Sequence, residues 1–288
     1  MLLQDTYTLA NGVQIPKLGL GTWMISDDAV EGAVKAAVGM GYRHIDTAQA
    51  YENEAGVGRG IQGCGVPREQ LFITTKLAAE IKDFAGAAAA IDASLQALGV
   101  DTIDLMLIHS PQPWMEFGNP DRHIEGNRAA WRAMEAALEA GKLRAIGVSN
   151  FTQADLESLM ETAKVKPMVH QLLAHISNTP TELIAFCEAQ GMLVQAYSPI
   201  AHGELFKNQQ VAQMAERYGV SIPQLSIRYC LELGLLPLPK TANPDHMRDN
   251  AAVDFQISEQ DMATLKALPQ IQDYGEASMF PVYGGKLG

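Results

Sequence analysis

Ile103-Asp-Leu-Met-Leu-Ile-His109 is the stretch that decides the fold. It is almost continuously apolar, with no alternation to give it a polar face. Such a run suits a strand buried on both sides, as in a parallel sheet covered by helices. It also ends on an ionisable residue, His109. Two earlier segments behave alike: His44-Ile45-Asp46 is followed five residues later by Tyr51, and Leu71-Phe-Ile-Thr-Thr-Lys76 ends on a lysine. In a parallel barrel the carboxyl ends of the strands share one rim, and catalysis sits on that rim.

Outward from these three segments the chain alternates. Strands are expected at Leu18–Trp23, His44–Ala48, Leu71–Leu77, Ile103–Ser110, Leu143–Ser149, Met168–Leu173, Leu193–Ser198 and Leu236–Lys240. Amphipathic stretches at Asp27–Met40, Asn53–Gly63, Ala85–Leu98, Gly126–Ala140, Thr152–Thr162, Thr179–Gln190 and a long region from Asn208 to Leu233 read as helices. Eight strands alternating with helices imply right-handed crossovers and a parallel sheet. Gly41, Gly99, Gly141 and Gly191 each follow a helical stretch, where a C-terminal cap belongs. Thr152 and Thr179 are expected N-caps, the latter with Pro180 at the first helical position. Before the alternation begins, residues 6–18 flank Asn11-Gly12 and predict a hairpin. No linker divides the chain, so residues 1–288 are expected to form a single domain.

Composition narrows the function. A net charge of −12 offers no basic surface, so neither a nucleic-acid nor a membrane partner is expected. The residues after Met1 have no basic region and no long apolar run, so no secretory signal is expected. Cys64, Cys187 and Cys230 are widely spaced and make no metal or disulfide pattern, which fits a reducing, cytoplasmic setting. The seven histidines are scattered, which argues against a metal-dependent hydrolase. A monomer is expected.

The rim residues suggest a chemistry. A tyrosine, with a pKa of about 10, donates a proton at neutral pH only if its phenolate is stabilised. An adjacent ammonium provides that stabilisation. Lys76 is placed to lower the Tyr51 pKa, Asp46 to keep Lys76 charged and aimed, and His109 to orient a carbonyl oxygen toward Tyr51. Any one of these alone suits a structural ion pair or a half-buried polar residue; it is their recurrence on three successive strand ends that points to a site. None can supply a hydride, so a reduction would need a nicotinamide cofactor.

At these residues the chain resembles the aldo-keto reductase family. Gly41–Gly58, GYRHIDTAQAYENEAGVG, is similar to the family's Asp- and Tyr-bearing signature; LIHSP, KLRAIGVSNF and LPKTANPDHMRDN are similar to its histidine, cofactor and phosphate segments. The likeness runs over roughly residues 6–270. It implies a (β/α)8 TIM barrel with an N-terminal β-hairpin, and a reductase of aldehydes, ketones or keto-acid and keto-sugar carbonyls. By the same resemblance Tyr51 is the general acid, beside Lys76, Asp46 and His109, and NADP(H) is the cofactor, with NAD(H) as an alternative. The branch implied is a bacterial one that includes diketogluconate and methylglyoxal reductases. A non-catalytic, nicotinamide-binding redox sensor is the competing reading; retention of all four rim residues speaks against it.

The resemblance assigns further residues. Gly21 and Thr22 fall on the cofactor rim, Ser149, Asn150 and Gln171 on the nicotinamide carboxamide, and Tyr197 on the ring face, followed by Ser198. Lys240 and Thr241 match a 2′-phosphate clamp and Asn250 an adenine contact. His246 stands where the family usually has arginine, which implies a weaker preference for NADPH, because histidine lacks the permanent bidentate charge. Trp23, Ser110 and Trp114 are expected in the substrate pocket, with Ser110 replacing a common tryptophan. Strand six reads Gln171-Leu-Leu173, without the family's usual glutamate, so polar support for Gln171 is expected to be missing. The tail, Asp273–Gly288, carries Tyr274, Phe280 and Tyr283 and is expected to tune specificity. Gly58-Arg-Gly60-Ile-Gln-Gly63 matches a dinucleotide fingerprint but ends a helix instead of following a strand, so it reads as helix packing.

Overall fold

The structure is a computed structural model that describes residues 2–286. A hairpin of β1 (Thr6–Thr8) and β2 (Gln14–Pro16) comes first, paired Tyr7 to Ile15. Eight parallel strands follow: β3 (Gly19–Gly21), β4 (His44–Asp46), β5 (Phe72–Leu77), β6 (Ile103–Ile108), β7 (Leu143–Ser149), β8 (Val169–Leu173), β9 (Leu193–Tyr197) and β10 (Leu236–Leu238). Each pairs with its sequence neighbour, in the order β3 through β10. The barrel closes where Gly21 bridges Lys240 in parallel and its N–H donates to Pro239 at 3.1 Å. The eight-stranded barrel and its hairpin are therefore as the sequence reads.

Every residue of β6 is buried. Burying a leucine or isoleucine is worth roughly 1.5–3 kcal/mol, so this strand anchors the core. Its one charge, Asp104, is held by Arg68 at 2.5 Å, Arg144 at 2.6 Å and the Ile73 N–H at 2.8 Å. The hairpin covers the amino end, through Tyr7 Oη donating to Leu235 and Asn11 Nδ2 to Arg144.

Around the barrel lie α1 (Asp27–Gly39), α2 (Glu54–Gly63), α3 (Phe84–Leu98), α4 (Ile124–Glu139), α5 (Gln153–Met160), α6 (Thr181–Ala189), α7 (Gln209–Tyr218), α8 (Ile222–Glu232), α9 (Pro244–Ala251) and α10 (Glu259–Lys266). Thr152 caps α5 in a reciprocal capping box with Asp155. Thr179 does not cap α6: Pro180 takes that place, while Thr179 Oγ1 donates to His175 and meets the Tyr229 hydroxyl. The long helical region after Asn208 is two helices. Gly219 ends α7 with φ +66°, and Ser221 caps α8. Two helices go beyond the sequence reading, α9 capped by Asn243 and α10 capped by Ser258.

The Gly58–Gly63 motif lies inside α2. A Cβ on Gly58 would sit 2.5 Å from the Leu98 carbonyl, and one on Gly60 would sit 2.7 Å from Val34. These glycines let α2 approach α3 and α1, and no strand feeds the motif.

Candidate active site

Asp46 is the last residue of β4, Lys76 lies near the end of β5, and His109 follows β6. Tyr51 ends a short 3-10 turn, Gln49–Tyr51, that follows β4. The barrel brings all four together. Lys76 Nζ, fully buried, donates to Asp46 Oδ1 at 2.6 Å, to the Thr47 carbonyl at 2.9 Å and to Tyr51 Oη at 3.2 Å. The His109 ring stands edge-on to Tyr51, with centroids 5.6 Å apart. Trp114 also meets the His109 ring edge-on, with centroids 5.0 Å apart.

Burial alone would push the Lys76 ammonium down, but Asp46 and Tyr51 more than offset it, and its pKa lies above the ordinary lysine value. Burial holds His109 well below the usual imidazole range, helped by the Lys76 charge, so the ring is neutral. The Tyr51 pKa corrects the sequence reading. Burial raises it above the ordinary phenol value; Lys76 pulls it down but does not win, and Asp46 adds to the rise. Desolving a phenolate costs more than one paired ammonium returns, because Asp46 already takes much of that charge. The Tyr51 hydroxyl therefore keeps its proton through neutral pH, beside the Lys76 ammonium.

A cavity of about 540 Å³ opens over this cluster. Gly21, Thr22, Trp23, Asp46, Tyr51, His109, Trp114, Ser149, Asn150, Gln171, Tyr197, Ser198 and Lys240 all line it. Asn150, at φ +62°, accepts from Tyr197 Oη at 2.7 Å and donates to the His109 carbonyl at 3.0 Å. Thr241, His246 and Asn250 lie outside the cavity: Thr241 just before α9, His246 in its first turn and Asn250 in its last. Ser110 does not line the pocket as expected. It is buried: its Oγ accepts from the Gln112 N–H at 3.2 Å, its carbonyl accepts from Lys82 at 2.8 Å, and Trp114 fills the pocket wall. A larger cleft of about 790 Å³ lies at the amino end of the barrel and carries none of these residues.

One further correction concerns support, while closure by the tail agrees with the expectation. Gln171 does not lack polar support, because Gln195 on β9 supplies it across the strands. The tail folds over the mouth. Phe280 meets Trp23 edge-on at 5.0 Å, Tyr283 Oη lies 2.7 Å from Ser198 Oγ, and Tyr274 Oη lies 3.0 Å from His175 Nε2. Leu287 and Gly288 of the tail lie outside the described residues. Sequence reasoning missed Gln195 and His202. The ring of His202 packs 4.7 Å from Tyr283, and its Nε2 lies 3.1 Å from Ser198 Oγ. No motif marks either residue; only strand register and loop folding place them there.

An eight-stranded parallel barrel that gathers a buried lysine, carboxylate and imidazole and a half-buried phenol at its carboxyl rim defines the class of (β/α)8 barrel proteins with an ionisable cluster at that rim. Comparison with known proteins makes this specific. The profile of the "Aldo/keto reductase family" matches residues 17–270. Glyoxal reductase of Bacillus subtilis is 40% identical over 276 residues, covering 95% of this chain and 96% of its own. A Brucella melitensis aldo/keto reductase structure superposes with a TM-score of 0.84 at 36% identity, covering 91% of this chain and 98% of its own. A Bombyx mori aldo-keto reductase, solved in complex with NADP, gives 0.83 at 31% identity, covering 95% of each chain. The chain belongs to the aldo/keto reductase family, and it is an oxidoreductase by that membership.

Proposed function

We propose that this protein uses NADP(H) to reduce the carbonyl of a small aldehyde or dicarbonyl compound, with Tyr51 as the proton donor. The observation that carries the reading is the chain of contacts from buried Asp46 through buried Lys76 to Tyr51, at 2.6 and 3.2 Å. The glyoxal-reducing activity in the name of the Bacillus relative, and the NADP complex of the silkworm structure, support the substrate and cofactor class.

The residues fit a nicotinamide cofactor. Gln171 presents an unpartnered oxygen to the cavity, Ser149 and Asn150 stand beside it, and Lys240 lines the same cavity. When bound, the reduced nicotinamide supplies a hydride to the carbonyl carbon. The chain's own residues do the rest. His109, neutral, holds the carbonyl oxygen toward Tyr51. Tyr51 Oη gives its proton to the oxygen as negative charge develops there, and the resulting phenolate rests against the Lys76 ammonium. Asp46 keeps that ammonium aimed. Trp23, Trp114 and the tail exclude water.

General acid help is worth about 10²–10⁴-fold, so Tyr51→Phe removes most turnover while leaving cofactor binding nearly intact. NADPH oxidation with glyoxal, together with fluorescence quenching by NADPH, measures the two. Turnover within a few-fold of the parent would refute the role of Tyr51. Cofactor binding without turnover on any carbonyl in the parent protein would favour a redox sensor.

A further inference from the structure

Gln195 lies in the middle of β9, fully buried, and in register with Gln171 on β8. Its Oε1 accepts from Gln171 Nε2 at 2.8 Å. The same Gln171 nitrogen donates to Asp46 Oδ2, also at 2.8 Å, while Asp46 Oδ1 holds Lys76. A carboxylate paired with an ammonium can only accept, so it is the nitrogen of Gln171 that must face it. Both hydrogens of that nitrogen are then used. What remains is the Gln171 carbonyl oxygen, to which no described residue donates, on a side chain that lines the cavity. One bond to Asp46 leaves the amide free to swing about its last torsion. The second bond, to Gln195, fixes its plane. Gln195 carries a cost in this role, since its own Nε2 is buried without a partner. Buried donors without acceptors are uncommon, and this one is explained if only the oxygen of Gln195 is needed.

We propose that Gln195 is a positioning residue: its Oε1 locks the Gln171 amide so that this point of the cavity wall offers an acceptor alone, matched to the N–H of a primary carboxamide. This deepens the proposed cofactor site and rests on nicotinamide lying against Gln171. The amide, held at two points, then selects for a carboxamide-bearing ring over one carrying a bare ketone.

Binding by fluorescence quenching tests it, with NADP⁺, its 3-acetylpyridine analogue and 2′-phospho-ADP-ribose, which lacks the ring. The parent should favour NADP⁺ over the analogue by about tenfold, the worth of one hydrogen bond. Gln195→Met should bring that ratio to within about twofold of unity and leave the affinity for the ringless ligand unchanged. Gln195→Glu keeps an acceptor oxygen and loses only the unpartnered nitrogen, so it should retain the ratio. Equal affinities in the parent would overturn the placement of nicotinamide, and the proposal with it. A ratio kept in Gln195→Met, or lost in Gln195→Glu, would overturn the proposal and leave that placement standing. A parallel fall in affinity for the ringless ligand in Gln195→Met would mark Gln195 as merely structural and overturn the proposal too.

Discussion

The two halves of the carboxyl-terminal rim are built from different forces. The half from β4 to β6 is electrostatic: the Asp46–Lys76 ion pair holds the Tyr51 hydroxyl, and His109 joins them as a neutral ring. The half from β9 through the tail is aromatic. Tyr197, His202, Tyr274, Phe280 and Tyr283 meet one another and Trp23 mostly edge to face, with hydrogen bonds only at their polar tips, to Asn150, Ser198 and His175. Buried charge demands one geometry, because an unpaired ion in the interior costs several kcal/mol. Aromatic edges tolerate small shifts at little cost. The charged half is therefore fixed in one geometry, and the aromatic half can adjust.

The sharpest way to break this contrast is Lys76→Met. It strands the Asp46 carboxylate in the barrel, which costs roughly 3–5 kcal/mol of stability. It also removes the support for the Tyr51 phenolate, so turnover falls by at least about 10²-fold. Urea unfolding and steady-state rates measure both losses. A variant as stable as the parent would mean that charge does not set the geometry of that half.

Acid is the next largest perturbation, and it falls on both halves. Burial lowers His44 and His170 to about 3, and burial with a neighbouring His202 lowers His175 to about 4 despite a bond to the Ile176 carbonyl. Unfolded histidine titrates near 6.5, so between these values the unfolded chain binds more protons than the folded one. Stability is complete above about pH 6.5 and is lost as pH falls toward 4, by up to about 1.4 kcal/mol per pH unit for each histidine. Denaturant midpoints that stay level from pH 7 to 5 would contradict this. His175 also anchors Tyr274, so the tail should loosen first.

Smaller still is His246→Arg. The site is exposed and solvent screens it, so a restored guanidinium should raise the NADPH to NADH ratio of kcat/KM by only about tenfold. An unchanged ratio would show that Lys240 and Thr241 alone set the preference. Smallest is Tyr283→Phe, which removes only the contact with Ser198. It should raise KM for the carbonyl by a few-fold and leave kcat alone, as the loss of one partly exposed hydrogen bond would. A fall in kcat like that of Tyr51→Phe would erase the distinction between the halves.

Local pattern was enough for the strands, for the cap at Thr152 and for the four rim residues, because burial on both faces and strand-end position leave their mark within a few neighbouring positions. It was enough, too, to discount the Gly58–Gly63 motif, since a strand must feed a dinucleotide loop. It failed where a property belongs to the packed whole. Ser110 turned from the pocket because Gln112 and Lys82 claim it, and α9 and α10 were overlooked although Asn243 and Ser258 announce them. The sequence by itself determined which ionisable groups reach the rim, since an unbroken apolar run and the place where it ends are local facts. Only the tertiary structure decided how they titrate and which way Gln171 faces, because desolvation belongs to the packed barrel and the Gln171 amide is oriented by Asp46, 125 positions away.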